Sequence, residues 1–118
     1  MDWWSRYQGA FTLPLPPQKA QQLAAYAGRP IILGMRPEHI HDPAYVPPGL
    51  HEHARVQALV SVTERMGSEI YVHLERDGTS FVGRFDPRSS VQTGALAEAV
   101  LDMQNMYVFD RETEQALL

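Results

Sequence analysis

The sequence predicts a mainly β fold: a small closed or half-closed barrel of short antiparallel strands, with one short helix near the N-terminus. Three observations predict it. Residues Ala54–Glu64 alternate between apolar and polar positions, the period of a half-buried strand. Asp77-Gly78 separates two further strand-like runs, and a two-residue turn with φ > 0 at both positions is the strongest short hairpin signal. Of the nine prolines, only Pro87 lies in the second half, so regular sheet is expected to be interrupted before residue 50 and more continuous after it.

Taken in order, Phe11–Leu15 reads as an edge strand, because Pro14 cannot donate to a neighbour. Pro17–Tyr26 reads as the helix, with Ala20, Leu23, Ala24 and Ala27 at helical spacing and Gly28 just past its end. Arg29–Arg36 carries Ile31-Ile32-Leu33, a buried strand, and residues 37–53 read as loop. In Ala54–Glu64 the side chains of Val56, Ala58, Val60 and Val62 are expected on one face, with Arg55, Gln57, Ser61 and Thr63 on the other.

Gly67-Ser68 then breaks the chain before the hairpin of Glu69–Arg76 and Thr79–Phe85. The two-residue turn fixes one register: Leu74 opposite Phe81, Val72 opposite Gly83, Ile70 opposite Phe85 on the apolar face. Glu75–Ser80, His73–Val82 and Tyr71–Arg84 pair on the polar face. Ala95–Leu101 favours helix by composition, but it follows Gly94 in a strand-rich half and is read as a strand. Met106–Asp110 closes the sheet, and Arg111–Leu118 is a terminal turn or frayed helix.

The 118 residues are read as one domain, 1–118, with 44% hydrophobic residues as core material. A formal charge of −4 opposes a nucleic-acid backbone binder, which needs a basic stripe. Absence of cysteine removes disulfides, thiolate zinc sites and cysteine nucleophiles. No apolar run approaches bilayer-spanning length, and the start shows no secretory signal. The adjacent Trp3 and Trp4 read either as an apolar anchor or as the sign that more chain once preceded them.

Nothing in the sequence nominates a member of a Ser/His/Asp triad, and two common catalytic motifs are missing. The single lysine, Lys19, follows Gln18, so no phosphate-binding P-loop can form, and no GxSxG elbow is present. His39, His41, His51 and His53, with Asp42 and Glu52, have metal-ligand chemistry. They lie in a proline-rich loop that offers no rigid support for ligands, and no metal is expected there. Tyr71 and Arg84 form either a cation–π pair or partner-contact patch, or an ordinary cross-strand pair.

Four blocks, in order, resemble a known family. Leu33-Gly34-Met35-Arg36-Pro37-Glu38-His39-Ile40 resembles the LGIRPEHI signature of the regulatory domain in maltose-importer-type ABC transporter ATP-binding subunits. Val62–Glu69 with Val72-His73-Leu74, then Phe81–Arg84, then Met106–Thr113 resemble the blocks that follow it. The resemblance implies a C-terminal transport-associated OB (TOBE) domain, an OB-type β-barrel downstream of an ABC ATPase domain. It further implies a non-catalytic regulatory and dimerisation role in an importer of carbohydrates or glycerol phosphates. This chain then has no cofactor of its own, ATP and Mg belonging to the upstream domain.

The implied partners are a second copy (a homodimer), the ATPase domain, the membrane subunits, and a regulatory protein or small molecule. Nucleic acid and direct membrane insertion are not among them. The implied location is cytoplasmic, at the inner face of the cell membrane. The alternative role is a module sensing a sugar or an oxyanion. A single-stranded nucleic-acid module and a histidine metalloenzyme are the remaining readings, opposed by the charge and by the loop.

The motif positions are Gly34, Arg36, Pro37, Glu38, His39, Gly67, Ser68, Glu69, Phe109 and Asp110. Gly34 and Gly67 are expected at turns or bulges, and Arg36 and Glu38 either as an ion pair across a locked turn or as two solvated charges. Phe109 is expected in the core, and Asp110 as a helix N-cap before Thr113. Arg65, Ala95 and Arg111 depart from the family pattern, and the 41–53 loop has no counterpart in it.

Overall fold

The computed structural model describes residues 5–7, 15–50 and 53–117. Its elements are β1 (Ser5–Tyr7), α1 (Pro17–Gln22), β2 (Ile31–Met35), β3 (Ile40–His41), β4 (His53–Arg65), β5 (Ile70–Arg76), β6 (Thr79–Phe85), β7 (Leu96–Asp102) and β8 (Tyr107–Asp110). A five-stranded antiparallel sheet runs β3-β7-β4-β5-β6, and a three-stranded sheet runs β1-β2-β8. The larger sheet curls until its edges β3 and β6 touch, and β1 of the smaller sheet packs against β6. The result is the mainly β barrel expected from the sequence.

The hairpin is the best-specified part. Asp77 and Gly78 have φ of 50° and 82°, so both occupy the left-handed region that this tight turn demands. The register pairs Leu74 with Phe81, Val72 with Gly83 and Ile70 with Phe85. Ile70, Val72, Leu74, Phe81 and Phe85 are all buried. Val56, Val60, Ala99, Met35, Met103 and Val108 are among the residues that join them in the core. The β7 assignment is also as expected: pairing with β4 along its whole length overrides the helical preference of its residues.

Several expectations are corrected. Val62 faces solvent, 48% exposed, instead of joining Val56, Ala58 and Val60 inside. The β4–β5 register slips between Val60 and Val62: Ser61 is a bulge residue, and one extra residue reverses the parity beyond it. The expected helix over Pro17–Tyr26 stops at Gln22 and continues as a 3₁₀ turn at Ala24–Tyr26. Leu23 is the buried residue of this segment and Tyr26 is half-buried, too little apolar surface to hold a longer helix in place. Of the strand expected at Phe11–Leu15, residues 11–14 lie outside the described residues, and Leu15 is exposed.

The 37–53 segment is more ordered than a plain loop. It holds 3₁₀ turns at Pro37–His39 and Pro43–Tyr45 and the short strand β3 between them. Among its described residues the one deeply buried side chain is Ile40, 1% exposed. Gly34 is not at a turn: it lies within β2, paired to Arg6 and Tyr107. Phe109 is only half-buried, because Val108 takes the inward position of β8 and Phe109 falls on the opposite face, across from Ile32. Asp110 accepts from the backbone N–H of Glu112 and Thr113. It caps a turn there and not a helix, since the chain doubles back and Ala116 bridges Phe109.

Barrel closure depends on a position without a side chain. A Cβ on Gly83 would lie 2.9 Å from Cγ2 of Ile40, 3.0 Å from Cε1 of Phe85 and 3.3 Å from the Ile40 carbonyl oxygen. Gly83→Ala is therefore expected to cost about 1–3 kcal/mol, seen as a lower urea midpoint with an unchanged m-value. An unchanged midpoint would show that β3 is free to back away from β6.

Candidate partner surface at the barrel seam

Where β3 meets β6, the fold gathers polar side chains that are far apart in sequence. Pro37 starts a single 3₁₀ turn, which brings His39 and then His41 along the seam. His39 Nδ1 lies 3.9 Å from Asp102 Oδ2. Asp102, at the end of β7, also accepts from the Gln104 backbone N–H at 3.1 Å and from Asn105 Nδ2 at 2.6 Å. It is 9% exposed, so these donors hold a carboxylate that would otherwise be costly to bury.

Across the seam, Arg84 Nη1 lies 3.5 Å from Glu69 Oε2, and the Tyr71 hydroxyl donates to Glu69 Oε1 at 3.4 Å. Glu69 is thus the hub that joins Tyr71 and Arg84, which are also direct cross-strand neighbours. Of the readings the sequence left open, the ordinary cross-strand pair is the one seen, with a carboxylate bridging its two side chains. Next to it, His73 Nε2 meets Glu64 Oε1 at 2.6 Å. The ion pairs are partly exposed, and such pairs contribute about 0–1 kcal/mol each. They shape the surface more than they stabilise it.

His41 sits between the two halves. Burial pushes its pKa below the ordinary value, His39 and Arg84 add to that shift, and Asp102 opposes it. The neutral imidazole is therefore the form the fold prefers.

The remaining motif residues are dispersed. The Arg36 guanidinium lies over the Tyr107 ring, 5.9 Å from its centroid. Pro37 and Glu38 are half-buried in the first 3₁₀ turn. Gly67, with φ of 82°, and exposed Ser68 form the β4–β5 turn, where Met66 donates to the Glu69 carbonyl at 2.8 Å. Asp110 lies at the far end of β8 with its pKa lowered, first by the Thr113 backbone N–H.

His53 is exposed on β4 and its Cα pairs with that of Asp102, while His51 lies outside the described residues. Among the described residues no group of three or more histidines, cysteines or carboxylates could hold a metal ion. Asp102 was missed by sequence reasoning. The available signal was an aspartate directly before Met103-Gln104-Asn105, in the position of a capping residue.

A curled antiparallel barrel with a short helix and a polar seam defines an OB-type module. Residues 4–40 match the MalK OB fold domain family. The chain is 36% identical over 111 residues to the trehalose/maltose import ATP-binding protein MalK of Thermococcus litoralis, covering 92% of this chain and 30% of that protein. It is 39% identical over 106 residues to the osmoprotective compounds uptake ATP-binding protein GgtA of Synechocystis, covering 89% and 28%. It is 34% identical over 100 residues to the sn-glycerol-3-phosphate import ATP-binding protein UgpC of Cereibacter sphaeroides, covering 82% and 27%.

Among solved structures, the cytoplasmic molybdate-binding protein ModG with molybdate bound superposes with a TM-score of 0.58 at 17% identity, covering 77% of this chain and 69% of that one. That likeness is one of fold. The family match and these relatives show that the chain is similar to the OB domains of maltose-importer-type ABC transporter ATP-binding subunits. It spans about 30% of the length of these curated relatives.

The seam has a pH consequence. With the folded pKa of His41 depressed, the unfolded chain binds the proton more readily, so stability is full above pH about 6.5 and declines as pH falls below it. Thermal unfolding from pH 7.5 to 5 should show this decline, and His41→Gln should flatten it. An equally steep decline in the variant would assign the effect elsewhere.

Proposed function

We propose that this chain acts as the non-catalytic regulatory and dimerisation domain of the ATP-binding subunit of an ABC importer for carbohydrates or glycerol phosphates. The observation that carries this reading is alignment over 92% of the chain with a trehalose/maltose import ATP-binding protein. Glycerol-3-phosphate import by a second relative supports the broader substrate range. The domain works by shape: a stiff barrel presents a fixed polar seam to a second copy or to a regulatory partner. ATP and Mg are then bound by the ATPase domain and not by this one, which carries no cofactor.

In this reading the working location is the cytoplasmic face of the membrane, through the transporter's membrane subunits. No helix among the described residues is long and apolar enough to cross a bilayer. Purified chain is expected to hydrolyse ATP no faster than buffer and to sediment as a concentration-dependent dimer. ATP turnover by the purified chain above the buffer rate would overturn the non-catalytic reading, and a monomer at every concentration would overturn dimerisation.

A second reading is an oxyanion sensor, favoured by the shared fold with molybdate-bound ModG. Molybdate raising the unfolding temperature in proportion to the logarithm of its concentration would favour it over a purely structural domain. No shift at millimolar molybdate would remove it.

A further inference from the structure

We propose that the open edge of β7, from Leu96 to Ala99, accepts an extended basic segment of a partner protein as an added strand. One side of β7 is fully paired: β4 matches it from His53↔Asp102 to Leu59↔Leu96. The other side is paired only at its far end, where Ile40 and His41 of β3 meet Leu101 and Val100. β3 goes no further along this edge. Asp42 caps the next 3₁₀ turn through the Ala44 backbone N–H, and Pro43, at its first position, has no N–H to donate to a ladder. Among the described residues, no strand pairs with Leu96–Ala99 on that side.

An open edge presents alternate N–H and C=O groups, which is the template for strand addition. Here the edge also borders a groove of about 310 Å³, lined by Asp42, Pro43, Val91 and the 95–98 stretch, with Phe85 among its apolar lining. Leu96 is 68% exposed, and its cross-strand partner Leu59 is 40% exposed. Leu96 supplies an apolar anchor beside the edge for a side chain of an incoming strand, with Leu59 behind it on β4.

Charge selects the occupant. The charged residues lining the groove are Asp42 and Glu98, both carboxylates. Glu98 is paired to Arg55. Among the described residues Asp42 is held by neutral donors alone, the Ala44 N–H and the Ser89 hydroxyl, with no cation paired to it. A strand that places a lysine or arginine beside Asp42 and an apolar residue beside Leu96 would satisfy both features.

The proposal is tested by titrating the chain with a labelled peptide alternating valine with lysine and threonine, against the same peptide with glutamate for lysine. Fluorescence anisotropy is expected to rise with the basic peptide and to stay flat with the acidic one. Amide hydrogen exchange should slow at alternate positions between Leu96 and Ala99. Asp42→Asn, which keeps the cap acceptor and removes the charge, should weaken binding about tenfold at an unchanged unfolding temperature. Equal binding of the acidic peptide, protection confined to another strand, or no binding at millimolar peptide would overturn it. So would protection of these amides in the free chain, or protection that appears only on self-association.

Discussion

The contact on which this barrel depends is that of Ile40 with Gly83. A sheet of five curled strands has two edges, and each is a row of hydrogen-bonding groups that must be paired, covered or left wet. Here the edges approach because Ile40, on a strand of two residues, enters the space over a residue with no side chain. The apolar floor beneath is set by the hairpin, whose register places Phe85 next to that space. A bulkier residue at either position would separate the edges, and the polar seam built over the contact would separate with them.

The seam is polar because strand parity leaves it no alternative. Once Ile70, Val72 and Leu74 point inward, Tyr71 and His73 must point outward; once Phe81, Gly83 and Phe85 face the core, Arg84 must face Tyr71. Glu69, just before β5, then supplies the carboxylate both can reach. On the other side, burying Ile40 obliges its neighbours His39 and His41 to flank it, and Asp102 receives one of them. The surface is a by-product of core packing, which gives it a fixed shape without special stabilisation.

Much of this was legible in the sequence where physics is local. The Asp77-Gly78 turn dictates its own register, so the five core residues of the hairpin could be named in advance. The strand at 96–102 was also readable, because a short run after Gly94 had sheet on either side to join. Long-range effects were less accessible. Nothing near Ile40 marks it as a core residue, because its cavity is made by Gly83 some forty positions later. Tyr71 and Arg84 could be paired from the register, yet their link through Glu69 required the geometry of the preceding turn. Phe109 looked like core by size alone, and the phase of β8 assigned that place to Val108.

Ser61 has one more consequence. Along β4 the inward positions run Ala54, Val56, Ala58, Val60, and after the extra residue the partner of buried Val72 is Thr63. Excising Ser61 would restore uninterrupted two-residue alternation, with Val60 in, Val62 out and Thr63 in. Removing any residue between Ala54 and Val60 would put one arm of the strand out of step with the core. Ser61 is thus a natural length buffer in β4, the place where related chains can differ by one residue and still fold around the same interior.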